Sequence, residues 1–199
     1  YVAGGIKNFP VATIPASKVQ LDCVGKKHEK IGTILSVNGK PDSQNFGEAV
    51  HTFFAADYDS TMDHKSRLLI AKNILSRWKV EANFTPKAMV TASNNLYSWI
   101  NIKWPEAVWH REWPMELKTS DGTIIRGFID LALELPDSFV VIDHKSFHGS
   151  FEHISNKAAS YGGQLWAYGK AVKIATGKNI QSRLIHFPVM GVVAEVGER

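Results

Sequence analysis

Cysteine is nearly absent from this sequence, because Cys23 is the only one among 199 residues. A single thiol excludes an internal disulfide and, within one chain, a four-cysteine zinc or iron–sulfur site. Long apolar runs are also lacking, since the longest stretch without charge, Ala88–Ile102, is interrupted by three asparagines and two serines. No basic-then-apolar leader opens the chain. We therefore predict no membrane span, no iron–sulfur cluster and an intracellular location.

The composition is that of an ordinary globular protein, with 44% hydrophobic and 21% charged residues. A length of 199 residues suffices for one domain with a substantial core. We predict a single domain, in which residues 1–45 form an irregular segment packed on a core at 46–190. The net charge of +4 is compatible with a polyanionic partner but is weak evidence for one.

The centre of the chain reads as a β-hairpin. Residues 124–134 and 139–147 are rich in Ile, Val, Leu and Phe, as half-buried strands are. The segment 135–138 between them carries Pro136 at a favoured turn position. This pattern predicts two antiparallel strands.

A turn symmetric about positions 136 and 137 places Asp130 directly opposite Asp143. Side chains two residues apart on a strand share a face, which adds Lys145 to the same patch. Two opposed carboxylates repel one another unless a cation lies between them, and hard oxygen ligands suit Mg²⁺ or Mn²⁺. The alternative is a solvated face on which the two acids and the lysine neutralise each other.

Apolar spacing predicts the remaining elements: helices at 46–57, 62–78, 86–102 and 155–176, and strands at 108–117 and 182–189. A tight-turn dipeptide, Asp121-Gly122, joins the first of these strands to the hairpin, so three strands form a meander. The last helix has Ser155 as its predicted N-cap and Gly177 as its stop. The order helix, three-strand meander, helix, strand predicts an α/β fold with extra N-terminal helices.

Three segments carry a family resemblance: GFIDL at 127–131, VIDHKS at 141–146 and QLWAY at 164–168. In this order they resemble the signature segments of the RecB-like branch of the PD-(D/E)XK nucleases. The resemblance covers about 46–189, and it departs from the superfamily's name at Ile129, where that name has proline.

The resemblance implies a restriction-endonuclease-like core, with a mixed central sheet flanked by helices. It also implies a metal-dependent DNA nuclease of exonuclease type, which processes DNA ends in recombination and repair. Such domains often form the C-terminal part of helicase-nuclease polypeptides, so a helicase domain or subunit is the implied partner. Two alternatives are a catalytically silent DNA-binding module of the same fold and a protein-interaction domain with surface acids.

Metal ligands follow from the same resemblance. The expected ligands of one Mg²⁺ or Mn²⁺ ion are His51, Asp130, Asp143 and the backbone carbonyl of His144, with a second ion left open. On pattern alone, His51 is a packed surface residue at the edge of an apolar helix stripe. The resemblance places it instead in the N-terminal motif at 45–51.

Three further residues are expected at the site. Lys145 would orient the attacking water or neutralise developing charge. Gln164 and Tyr168 would hold this lysine or contact DNA, and Tyr161 lies on the same helix surface. The alternative for the tyrosines is a place in the helix core stripe.

Overall fold

The computed structural model describes residues 12–57 and 62–199. Its helices are α1 (Ser43–Ala56), α2 (His64–Arg77), α3 (Pro86–Lys103), α4 (Ile154–Ala159) and α5 (Gly162–Thr176). Its strands are β1 (Thr13–Pro15), β2 (Cys23–Lys30), β3 (Val108–Lys118), β4 (Ile124–Glu134), β5 (Ser138–His144), β6 (Asn179–Phe187) and β7 (Val192–Glu198). None of the helices in these ranges has the length and apolar character that crossing a membrane requires.

All seven strands belong to one sheet, in the order β1-β4-β5-β6-β7-β2, with β3 paired to β4. The pairs β1–β4 and β5–β6 are parallel and the other pairs are antiparallel, so the sheet is mixed. Apolar residues of α1, α2 and α3 form one core with one face of the sheet, and α5 covers the other. This confirms the predicted α/β class, a mixed central sheet flanked by helices.

The hairpin of β4 and β5 has the register that a symmetric turn predicts. Glu134 pairs with Phe139 next to the turn, and the paired residues end with Leu131 and Ile142. One step further along both strands lie the two aspartates. The predicted second strand is too long, since β5 ends at His144 and the chain leaves the sheet there.

The prediction of an irregular N-terminal segment is wrong for residues 13–30, whereas 31–42 form no helix or strand. Residues 1–11 lie outside the described part of the chain. Strand β1 pairs with β4, and β2 pairs along its length with β7. Strand β2 was not predicted, because residues 26–30 of this edge strand are exposed and mostly charged. Charged residues on an edge strand protect it from pairing with other chains, but they remove the apolar alternation by which strands are recognised.

The predicted helix 155–176 is interrupted between α4 and α5. Ser155 is not the predicted N-cap, because α4 begins at Ile154 with His153 at its N-cap, and Oγ of Ser155 lies 3.4 Å from Nδ1 of His28. The interruption lets Gly162 and Gly163 approach the N-terminal segment: a Cβ on Gly163 would lie 2.1 Å from the carbonyl oxygen of Val19. Tertiary contact, which helix periodicity cannot show, therefore determines the break.

Candidate active site

Asp143 and Lys145 form a buried ion pair at the end of β5. Lys145 Nζ lies 2.7 Å from Asp143 Oδ2, and the aspartate has no exposed surface. Burial and the neighbouring charge of Asp130 raise the pKa of Asp143 to about 6, although Lys145 opposes this. Burial disfavours the ammonium of Lys145, but Asp143 and Asp130 outweigh it and raise the pKa of this lysine.

Asp130 is held by α1 and by the backbone of β5. Its Oδ2 accepts a hydrogen bond of 2.7 Å from the backbone N–H of His144 and lies 3.1 Å from His51 Nδ1. Burial acts to raise the pKa of Asp130, but the charge and hydrogen bond of His51 outweigh it and, with Lys145, lower the pKa to about 2. Burial likewise opposes the protonated form of His51, yet Asp130 raises its pKa. The two aspartates therefore differ in environment, one paired with imidazole and the other with ammonium.

A carboxylate oxygen of Asp143 without a hydrogen-bond partner indicates where a cation fits. Oδ1 of Asp143 is buried and has no hydrogen-bond partner among the described residues. A buried carboxylate oxygen without a donor is costly, and a hard divalent cation would satisfy it. Within 12–57 and 62–199, no three His, Cys, Asp or Glu side chains are grouped closely enough to hold a metal ion by themselves. Mg²⁺ needs no such group, because it usually keeps several waters and uses one or two carboxylates.

His144 contributes its backbone to the site, and its side chain packs elsewhere. The ring lies 4.5 Å from that of Phe54, and its Nδ1 is 3.1 Å from Nδ1 of His186. Burial lowers the pKa of His144 to about 3 and that of His186 well below its usual value. Both imidazoles are therefore neutral parts of the core.

Glu112 is a third acid at the site, and the sequence analysis missed it. Its β3 neighbours Arg111 and Trp113 pair with residues 131 and 129 of β4, so Glu112 lies opposite Asp130. Burial, and then the charge of Asp130, raise the pKa of Glu112. Its backbone is left-handed, with φ of 45°, which is uncommon for a residue other than glycine.

Strands β3 and β4 exchange faces at this position. Trp109 and Leu131 pack with helices α1 to α3, whereas Trp113 and Ile129 pack with α5. Side chains two or four residues apart on a regular strand point to the same face. Trp109 and Trp113 should therefore share a face, and so should Ile129 and Leu131. The exchange lies between them, at Glu112 and Asp130. Apolar alternation does not reveal this position, because β4 is apolar on both sides of Asp130 and β3 carries the polar run 110–112 across it.

Tyr161, between α4 and α5, contacts Lys145 through its aromatic ring. Lys145 Nζ lies 4.9 Å from the centroid of the Tyr161 ring, at the N-cap of α5. Gln164 instead donates a hydrogen bond of 2.7 Å to the hydroxyl of Tyr168. The Tyr168 ring packs behind Gly127, and burial together with Asp143 raises the pKa of its hydroxyl.

Comparison with known proteins decides the family. The family model for the PD-(D/E)XK nuclease superfamily matches residues 26–192. The chain belongs to this superfamily. A relative, an ATP-dependent helicase/nuclease subunit of Carboxydothermus hydrogenoformans, is 31% identical over 68 residues. These findings confirm the predicted RecB-like PD-(D/E)XK resemblance and its fold, and nucleases of this superfamily generally use divalent metals such as Mg²⁺.

The aligned part covers 34% of this chain and 6% of that relative. The chain therefore spans a small fraction of the relative's length, and the relative's name describes a much larger protein.

A groove of about 410 Å³ lies beside the candidate site. His51 and Lys145 line it from two sides, together with the N-terminal half of α1 and the loop at 146–149. Lys157 and Tyr161 complete its wall. Through His51 and Lys145, which contact Asp130 and Asp143, the groove borders the two buried acids.

Proposed function

We propose that this chain is a metal-dependent deoxyribonuclease that processes DNA ends in recombination or repair. The observation that carries the proposal is the buried Asp143, with one oxygen unpartnered and the other 2.7 Å from Lys145. A fold that merely held DNA would gain nothing from this arrangement, because a buried carboxylate with an unsatisfied oxygen destabilises the native state.

The residues that would hold Mg²⁺ or Mn²⁺ are Asp130, Asp143, His51 and the backbone carbonyl of His144. Their three side chains are not grouped closely enough to hold an ion in the arrangement described above, so binding would have to draw them together. Carboxylate oxygens are the preferred ligands of both ions, and imidazole is acceptable to Mn²⁺. Glu112 adds a carboxylate on the far side of Asp130, where it could serve the same ion or a second one. A bound ion would lower the pKa of a water and offset charge on the scissile phosphate.

The protein's own groups would act around this water. Lys145 would donate from its ammonium to the attacking water or to a phosphate oxygen, and its pairing with Asp143 fixes where it lies. His51 Nδ1 lies 3.1 Å from Asp130 Oδ2, and its protonated form favours the ionised carboxylate. As a ligand the imidazole would be neutral, and the bound ion would then keep Asp130 ionised. Tyr168 is buried in the core beside α5 and accepts a hydrogen bond from Gln164. We therefore propose that the half-buried Gln164 meets the DNA strand, and that Tyr168 fixes its amide instead of holding Lys145.

We also propose that the chain is one nuclease domain, located inside the cell and working with a helicase domain or subunit. The printed name of the relative, a helicase/nuclease subunit, supports the partner. A single domain is supported by the sheet, which joins residues 13–30 and 192–198 to the same seven strands.

The direct test is incubation of the chain with linear and closed-circular DNA in Mg²⁺, Mn²⁺ or EDTA. We expect metal-dependent loss of linear DNA and survival of the circle. Cleavage of both substrates would contradict the exonuclease assignment, and cleavage in EDTA would contradict the metal. DNA binding without cleavage under any condition would identify the silent DNA-binding module.

His51→Ala is expected to raise the metal concentration needed for half-maximal cleavage by about tenfold or more, because the ion loses a ligand. DNA binding measured in EDTA is expected to stay at the parent value. His64→Ala removes an exposed histidine at the start of α2 and serves as the matched control. Equal losses in the metal titration and in DNA binding would argue against a ligand role for His51.

A further inference from the structure

Lys157 is a half-buried lysine whose ammonium lies on an aromatic ring. Its Nζ is 5.2 Å from the centroid of Tyr161, the ring that also contacts Lys145. None of the ion pairs found between described residues involves Lys157. A partly desolvated ammonium held by a ring quadrupole, without a carboxylate, retains its full charge for another anion.

The groove beside this lysine is lined by cationic and neutral groups. Lys145, Lys157, His51 and His148 line it, and none of its lining residues is an aspartate or glutamate. The acids of the site lie beneath it, since Asp130 and Asp143 are buried. Because Lys145 and His51 are paired with these acids, Lys157 is the lysine of the groove for which no carboxylate partner is found among the described residues.

We propose that Lys157 binds the phosphodiester next to the scissile one, and that Tyr161 positions the ammonium groups of Lys145 and Lys157 on neighbouring phosphates. Positively charged grooves that follow a nucleic-acid backbone work in this way. Tyr161 is a positioning residue here, because its ring contacts the two lysines and not the reacting atoms. The inference rests on the proposed nuclease function and names a phosphate subsite within it.

The test for Lys157 compares Lys157→Gln with Lys170→Gln in the full chain. Lys170 is the matched control, because it also lies over an aromatic ring, 6.0 Å from Trp166, but is exposed and outside the groove. With a single-stranded oligodeoxynucleotide in metal, Lys157→Gln is expected to raise KM about tenfold and to change kcat less than about twofold. Lys170→Gln should match the parent, and Lys157→Arg should restore most of the lost affinity.

Binding in EDTA separates this inference from the proposed function. Losing one phosphate contact is expected to reduce the slope of log K against log salt by about 0.7 for a single strand. A smaller slope for Lys157→Gln than for Lys170→Gln supports the subsite even if the chain does not cleave DNA. Identical slopes and KM values for the two variants overturn it, and Lys157 is then a surface lysine packed on a ring.

Tyr161 is tested by Tyr161→Phe and Tyr161→Leu. The phenylalanine keeps the ring face and is expected to keep the parent KM and salt slope. The leucine removes the ring, so KM should rise by about fivefold or more while thermal unfolding stays cooperative. Equal behaviour of the two variants in KM and slope would overturn the positioning role.

Discussion

Asp143→Asn is expected to reduce metal-dependent DNA cleavage by at least about a thousandfold, equivalent to about 4 kcal/mol of barrier. The amide keeps the shape of the side chain but removes the charge that an ion and the ammonium of Lys145 both require. The initial rate on linear DNA at saturating Mg²⁺ measures the effect. The change should appear in kcat, since Asp143 lies beneath the groove and not along its wall.

Asp137→Asn is the matched control, because Asp137 is exposed in the turn of the same hairpin. It should retain the parent rate. Thermal melting of both variants separates loss of chemistry from loss of fold. Cleavage by Asp143→Asn at the Asp137→Asn rate would end the proposed mechanism, and activity would have to be sought elsewhere in the chain.

The largest effect on stability is expected at Asp57, where α1 ends. This carboxylate is buried and accepts two hydrogen bonds from Arg67, of 2.8 and 2.7 Å, and one of 2.6 Å from Ser93. The hydroxyl of Tyr97 donates to the backbone carbonyl of Asp57. One side chain thus ties the end of α1 to α2 and α3.

Asp57→Ala is expected to lower the free energy of unfolding by about 3–5 kcal/mol, because it leaves a largely buried guanidinium without its carboxylate. For a chain of this length the melting temperature should fall by roughly 6–20 °C. Asp22→Ala is the control, since its pair with Arg199 leaves both side chains 69% exposed. That variant should change stability by less than about 1 kcal/mol. Equal shifts would mean that the Asp57 network contributes nothing beyond a surface ion pair.

The hairpin was the most predictable part of the site, for a local reason. A four-residue turn around Pro136 fixes the pairing by chain geometry alone, so the register up to Leu131 and Ile142 followed from sequence. Helix α1 was predictable for the same kind of reason, since Phe46, Val50 and Phe53 repeat at helical spacing.

The rest of the site depends on contacts between distant segments. Glu112 enters it only because β3 and β4 exchange faces, and no local pattern marks a left-handed glutamate. Tyr161 reaches Lys145 because the helix breaks where a glycine pair meets the N-terminal segment. Periodicity showed that Gln164 and Tyr168 share a surface, but not that they hydrogen-bond to each other.

The shared exchange of faces at Glu112 and Asp130 also limits how this sheet can change during evolution. A one-residue insertion within β3 or β4 would turn half of that strand's apolar side chains toward the wrong helices. Insertions and deletions should therefore accumulate in the connections at 119–123 and 135–137, which lie beyond the paired residues. The positions of Glu112 and Asp130 are thus tied to the packing on either side of them, and these two acids cannot shift along the strands while the protein stays folded.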